Sequence, residues 1–321
     1  MSTSRSSGKK PTDPARIYLL SLEGAGEMQN KFAIVILNWN GLKDTIECIQ
    51  SILNNQYSNI EIFCLDNGSK KREDIHIKKI KSNRLNVVRI DRNLGFAGGN
   101  NYICSRLSLN KYDYIFLLNN DTVIKQDFFK KINEAINVNE NEFIGIYIPT
   151  IFYYDKELNE KKIWQADDSK IISKHSKIIK YPTGCAVIIK SEVIQKNGLF
   201  DEDFFAYGEE VEYFYRISKK GIKILYVPEA VLWHKVVEAE DNLFKIYMTS
   251  RNKWYYWKKR TLPDKFLYLI YILFFYNINK LIRYSKRIKN LQTFIRGNID
   301  GILWIVTNKK PLNPYIDNQL I

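Results

Sequence analysis

The hydrophobic positions of this chain fall first into short unbroken runs and later into long helical stripes. Phe32 to Leu37 (FAIVIL) is a continuous apolar, β-branched run closed by polar Asn38, the pattern of a strand covered on both faces. Asn38-Trp39-Asn40-Gly41 makes a turn, after which Ile46, Ile49, Ile52 and Leu53 share one face of a helix from about Leu42 to Leu53. The arrangement then repeats. Ile60 to Leu65 ends in Asp66-Asn67-Gly68-Ser69, Leu85 to Ile90 leads through Arg92–Asn101 into a helix to about Ser108, and Tyr114 to Leu118 ends in Asn119-Asn120-Asp121-Thr122. Four strands, each followed by a polar cluster and helical sequence, predict an α/β domain with a Rossmann-like, mostly parallel central sheet flanked by helices. Ligands of such a sheet bind at the carboxyl ends of the strands, where the polar clusters converge.

Between Pro182 and Lys235 the pattern predicts strand, helix, loop, helix, strand. Ala186–Ile189 is a short β-prone run, a helix ends near Asn197-Gly198, and Phe200–Gly208 is an acidic, aromatic loop. A second helix starts at Glu209, with Val211, Phe214, Tyr215 and Ile217 near helical spacing and Glu212 paired with Arg216 at i, i+4. It closes at Lys219-Lys220-Gly221, and β-prone runs follow at Ile222–Val227 and Val231–Trp233. Glu209 and Glu210 therefore occupy a first helical turn, where acids offset the helix dipole by about 0.3–1 kcal/mol each. The neighbouring Asp201, Glu202 and Asp203, crowded against Phe204, Phe205 and Tyr207, support a second reading, in which the cluster manages a cation or a proton.

Smaller signals remain open at this level. Gly95, Gly98 and Gly99 permit close backbone approach to a ligand or simply a tight βα turn; they match neither the dinucleotide fingerprint nor a Walker loop. Asp121 reads as a metal ligand or a helix N-cap. His234 reads as a second ligand or a structural histidine. With so few protein ligands, Mg²⁺ or Mn²⁺ would complete its shell with phosphates and water.

From Leu243 the composition changes. Residues 247–260 interleave aromatics with cations, Phe266 to Tyr276 is an apolar run of about half the ~20 residues that span a bilayer, and Lys280, Arg283, Lys286, Arg287, Lys289 and Arg296 follow. Three readings stand: a helix lying on an anionic membrane surface, an ordinary packing helix, or a homodimer face. Charge fits the first, since 49 Lys and Arg against 35 Asp and Glu give a net +14 and imply a polyanionic neighbour. Four cysteines without paired spacing indicate a reducing, cytoplasmic compartment, with the chain peripheral at the inner face of the cell membrane. Residues 1–27, rich in Ser, Gly and Pro, read as an added leader or a disordered tail. The expected division is thus 1–27, a catalytic domain over 28–242, and a basic, aromatic helical region over 243–321.

The segments IVILNWNG, FCLDNGSKK, RNLGFAGGNN, FLLNNDT, TGCAVIIKSEVIQKNGLFDEDFFAYGEEVEYFYR and GIKILYVPEAVLWHK, in that order over roughly residues 30–255, resemble family 2 glycosyltransferases of the GT-A fold, especially the rhamnosyltransferase-like branch. The resemblance implies an inverting, metal-dependent transfer from a nucleoside-diphosphate sugar, UDP or dTDP type, to a hydroxyl of a glycan or lipid-linked acceptor. It implies that Asp66 holds the nucleobase, that Asn38 and Asn40 line the nucleotide pocket, and that Gly95 to Asn101, including Asn100, covers the donor. Asn120 and Asp121 fall in the metal motif, with His234 completing the metal site, and Glu210 matches the catalytic base. The motif here lacks its first carboxylate, and the usual Glu-Asp-Val-Asp stands as Glu209-Glu210-Val211-Glu212, so Glu209 remains a substitute base. Two rivals stand beside this reading. A sugar-phosphate nucleotidyltransferase would carry a Gly-rich, Arg-bearing loop after the first strand, where this chain has Asn38-Trp39-Asn40-Gly41; a basic nucleic-acid-binding protein would stack bases on segment 247–260.

Overall fold

Period-two alternation builds the sheet core. In β1 (Phe32–Asn38), Phe32, Ile34 and Ile36 enter one buried apolar cluster while Ala33 and Val35 enter another on the opposite face. A strand covered on both faces reads as a continuous apolar run, which is why this one was legible. The computed structural model describes residues 29–139, 142–160, 163, 176–235 and 242–314; the 1–27 segment lies outside the described residues.

After β1 come α1 (Leu42–Leu53), β2 (Ile60–Asn67), α2 (Glu73–Ile77), β3 (Leu85–Ile90), α3 (Gly95–Cys104), β4 (Tyr114–Asn119), β5 (Thr122–Ile124), α4 (Phe128–Val138) and β6 (Ile144–Tyr153). The second half adds β7 (Lys177–Ile179), β8 (Ala186–Lys190), α5 (Ser191–Asn197), α6 (Glu209–Ser218) and β9 (Lys223–His234). The sheet order is β3-β2-β1-β4-β8-β6-β9-β5, with β7 also on β9.

Strands β3, β2, β1 and β4 are parallel, as expected. The remainder is mixed: β8 runs antiparallel to both β4 and β6, and β9 runs parallel to β6. Two reversals bring β9 back into the direction of β1, so its carboxyl end, His234, lies on the same sheet edge as Asn38, Asp66 and Asn119. β8 runs the other way and brings its amino end, preceded by Gly184 and Cys185, to that edge. The short β5, absent from the sequence reading, pairs Thr122 with His234.

Two boundaries differ from expectation. The helix after β3 begins at Gly95 and ends at Cys104, so the glycine cluster is helical rather than a loop ahead of a helix. Lys223–His234 forms one long strand with a register shift, not two separate runs. The C-terminal region is helical: α7 (Leu243–Lys259), then a continuous helix from Asp264 to Tyr284 with a π-helical centre, then α10 (Ile288–Thr307). We label the two α-helical ends of the central helix α8 (Asp264–Ile270) and α9 (Asn277–Tyr284).

Candidate active site

The loops after β1, β2 and β4 are joined by one polar network. Asn38, wholly buried, donates through Nδ2 to Glu73 Oε2 at 2.9 Å and Ser69 Oγ at 3.2 Å, and accepts from Thr45 Oγ1 at 2.7 Å. Thr45 in turn accepts from Asn120 Nδ2 at 2.8 Å, linking the first turn to the Asn-Asn-Asp segment. Asn40, exposed and at φ 54°, accepts from Lys70 N at 2.9 Å and donates through its own N–H to Ser69 Oγ at 2.9 Å. Asp66 is wholly buried; its carboxylate accepts from Ser69 N at 3.1 Å, Asp74 N at 3.3 Å, Asn38 Nδ2 at 3.5 Å and the Arg89 guanidinium. A carboxylate offers about four acceptor positions, so that of Asp66 is fully engaged within the protein.

Opposite lies the glycine-rich helix. Gly95, at φ 76°, sits against the Phe205 carbonyl and ring, where any side chain would collide. Its own carbonyl accepts from Asn67 Nδ2 at 3.0 Å, and Ala97 N donates to Phe205 O at 3.1 Å. Asn100 is buried and back-bonded to Phe96 O at 2.9 Å, while Asn101 grips Phe200 and Glu202. The Asn101 side chain thereby ties the glycine-rich helix to the Phe200–Glu202 loop.

At the far edge, the Thr122–His234 pairing and the bond from Lys235 N to Asp121 O at 2.8 Å fix the backbones of Asp121 and His234 side by side. Asp121 Oδ1 lies 3.0 Å from His234 Nε2, is buried, and accepts no hydrogen bond there. A buried carboxylate oxygen without a donor, facing an imidazole nitrogen, is a donor set that suits a divalent cation. Among the described residues no cluster of three or more His, Cys, Asp or Glu could hold a metal by itself. The two groups fit a cation whose remaining ligands come from phosphates and water, as Mg²⁺ commonly takes.

The first turn of α6 separates its two acids. Glu209 is buried, its Oε2 has no hydrogen-bond partner, and burial reinforced by the adjacent Glu210 pushes its carboxyl well above the usual range. Glu210 is half-buried and accepts from Gly208 N at 3.0 Å; its side chain lies over Gly184, where a Cβ would stand 3.2 Å from Glu210 Cβ. Next to Gly184, Cys185 O accepts from Asn119 N at 2.9 Å. Glu210 is thereby joined to the Asn-Asn-Asp segment, which returns through Thr45 to Asn38 and Asp66. The loops are thus joined by a continuous series of contacts along one sheet edge.

The other acids of the loop do not gather a cation. Asp201 is met by Lys259 at 2.5 Å and Tyr255 OH at 3.1 Å, Asp203 by Lys310 at 3.1 Å and Tyr255 OH at 3.1 Å, and Glu202 by Asn101. Burial pushes Asp201 up, but Lys259 and its hydrogen bonds hold it below its ordinary value. The crowding read in the sequence is thus neutralised by the protein's own cations.

Arg251 and Asn252 were missed as site residues. Both are 1% exposed on α7. Asn252 Nδ2 donates to the carbonyls of Phe204, Ala206 and Tyr207 at 3.0, 2.9 and 2.7 Å, and Arg251 donates to Phe204 O at 3.1 Å. These bonds hold Phe205 and Tyr207 at φ 66° and 65°, immediately before Glu209. The available signal was a cation-and-amide pair amid buried aromatics. The segment also offers aromatics for stacking bases, but Tyr247, Trp254, Tyr255 and Tyr256 are buried and so not exposed for it.

A parallel half-sheet ending in amide-rich turns, joined to a mixed half that delivers an acid, a histidine and a glutamate to the same edge, defines a glycosyltransferase of the GT-A fold. The model of glycosyltransferase-like family 2 matches residues 29–256, and the chain belongs to that family. Its relatives include the glycosyltransferase GlyG of Streptococcus pneumoniae, 22% identical over 225 residues that cover 68% of this chain and 70% of GlyG. Another is the UDP-Glc:alpha-D-GlcNAc-diphosphoundecaprenol beta-1,3-glucosyltransferase WfaP of Escherichia coli, 25% identical over 258 residues covering 78% of this chain and 94% of WfaP. Among solved structures, S. aureus TarS 1-349 in complex with UDP-GlcNAc superposes with a TM-score of 0.61 at 14% identity, covering 85% of this chain and 81% of that one.

Proposed function

We propose that the chain transfers a sugar, with inversion, from a nucleoside diphosphate of UDP or dTDP type to a hydroxyl of a glycan or lipid-linked acceptor in cell-surface polysaccharide synthesis. The series of contacts joining Asp66, Asn38, Asn120, Asp121, His234 and Glu210 along one sheet edge supports this reading, in which they supply a nucleotide wall, a cation corner and a base. The UDP-GlcNAc complex of TarS and the undecaprenol-linked acceptor in WfaP's name support the donor and acceptor classes.

The donor's nucleoside lies along Asn38–Gly41 and Asp66–Ser69, beneath the start of α3. Asp66 anchors that wall, and a base N–H would exchange for one of its present contacts. Asp121 and His234 would hold Mg²⁺ or Mn²⁺ against the diphosphate, where the cation neutralises charge on the leaving group. Glu210 takes the acceptor hydroxyl's proton as that oxygen bonds to the anomeric carbon and the bond to the diphosphate oxygen breaks. One displacement inverts the centre, and a positioned base contributes ~10²–10⁴-fold. Glu209 is buried, while Glu210 is half-buried beside Gly184, which favours Glu210 as the group an acceptor hydroxyl can reach.

Thermal unfolding tests the reading. UDP or dTDP should raise the melting temperature in a cation-dependent way, and single-stranded oligonucleotide should not. A shift with oligonucleotide alone would return the chain to the nucleic-acid reading. Release of diphosphate from a nucleoside triphosphate and sugar phosphate would mark a nucleotidyltransferase.

A further inference from the structure

The helix from Asp264 to Tyr284 is amphipathic with its polarity reversed. Its inward stripe, spaced by four, is Tyr268, Ile272, Tyr276, Lys280 and Tyr284, and it packs against apolar, aromatic and charged partners alike. Tyr268 meets Tyr256 with ring centroids 5.1 Å apart, Lys253 lies 4.4 Å over the Tyr276 ring, and Lys253 Nζ donates to Asn277 Oδ1 at 2.5 Å. The outward face is hydrocarbon: Phe266, Leu267 and Phe274 are each 62% exposed and Ile282 is 70% exposed. A helix that turns aromatics and amines inward and leucine, isoleucine and phenylalanine outward is not built to end in water.

We infer that this outward face docks on an anionic lipid bilayer, with the helix lying in the plane of the interface. Two observations select the occupant. No Asp or Glu occurs between Lys265 and Ile299, while Arg283, Lys286, Arg287, Lys289 and Arg296 are exposed beside the apolar face. A second copy would bring this cationic border against itself, whereas anionic headgroups complement it. The helix is long and apolar enough to cross a bilayer by length and composition, well beyond the apolar run counted in the sequence. Its attachment argues for lying flat. Asp264 is fixed to Lys219 at 2.6 Å, Lys265 O accepts from Trp257 Nε1 at 3.0 Å, and Tyr284 packs on Phe294. Held to the protein from end to end along one stripe, the helix has only one side left for lipid.

The supporting helix α7 also carries Arg251 and Asn252, which hold the loop before Glu210. Docking therefore places that loop in fixed relation to the surface where a lipid-linked acceptor resides. This last step rests on the proposed function; the docking itself does not.

The test uses the full chain and vesicles of phosphatidylcholine alone or equimolar with phosphatidylglycerol, read by flotation. Binding is expected to require phosphatidylglycerol and to fall with salt. The variant Arg283→Gln/Lys286→Gln/Arg287→Gln should bind roughly a hundredfold more weakly, at about tenfold or less per cation. Phe274→Glu should abolish flotation while leaving the nucleotide-dependent thermal shift unchanged, which separates failure to dock from failure of the donor site. Equal binding to neutral vesicles would overturn the inference, as would retention after alkaline carbonate extraction, which marks a spanning helix. A concentration-dependent dimer abolished by Phe274→Glu would assign the face to a second copy instead.

Discussion

The two halves of the sheet present their polar groups differently. In the parallel half, Asn38, Asp66, Ser69, Thr45, Glu73 and Asn120 satisfy one another, so the wall proposed for the nucleotide is hydrogen-bonded within itself. In the mixed half, the functional oxygens of Asp121 and Glu209 are buried without hydrogen bonds, and the loop ahead of Glu210 is held at positive φ by α7. Leaving a buried polar group unsatisfied costs about 1–3 kcal/mol, so such groups concentrate where something must be bound or a proton moved. The first half is an internally satisfied scaffold, and the second, on the proposed function, holds the chemistry at a cost in stability.

The sharpest way to separate the halves is Glu210→Gln. Transfer should fall by ~10²–10⁴-fold while donor binding, followed by titration calorimetry, is retained. Full turnover by this variant would remove Glu210 from its role. Asp121→Ala should act on the other pole, lowering the cation-dependent part of nucleotide affinity by at least the ~10–100-fold typical of lesser changes around metals. Affinity measured without cation should stay as in the parent.

Asn252→Ala tests the clamp. It frees three loop carbonyls and should lower the unfolding free energy by ~1–3 kcal/mol, and it should reduce kcat with the donor KM little changed. A parent-like kcat would show that the loop holds its own shape.

The smallest effect concerns pH. The folded carboxyl of Glu209 is raised above its unfolded value near 4.5, so the native state binds the extra proton and stability falls as pH rises above 4.5 toward the folded value. Glu209→Gln should remove that decline, its melting temperature gaining on the parent with rising pH. A constant difference across pH would mean Glu209 is ordinary. A second buried group runs the other way. Burial, then Lys280, lowers Lys253 to about 7, so stability from this amine rises between pH 7 and 10.5. The two slopes must be told apart by variants rather than by the parent curve.

The parallel half was legible because doubly covered strands are unbroken apolar runs and their turns carry amides and glycines. That Asp121, His234 and Glu210 share an edge was carried by the resemblance, since nothing local in the chain states that β8 and β9 reverse twice before returning. The start of the helix at Gly95 was not legible because a glycine cluster reads as a loop, whereas here Gly95 makes room for Phe205 within a helix. Arg251 and Lys253 misled because interleaved cations read as surface, yet here one binds loop carbonyls and the other packs beneath Tyr276.

In the proposed mechanism the cation corner and Glu210 face one bound donor, and paramagnetic broadening tests this directly. With glutamate carboxyl carbons labelled, the signal lost in Glu210→Gln identifies Glu210, and that of Glu142, near the start of β6 at the opposite sheet edge, serves as reference. Adding Mn²⁺ with UDP should broaden Glu210 beyond detection and leave Glu142 sharp, whereas in Asp121→Ala both signals should stay sharp. A Glu210 signal that stays sharp with Mn²⁺ and UDP bound would contradict it.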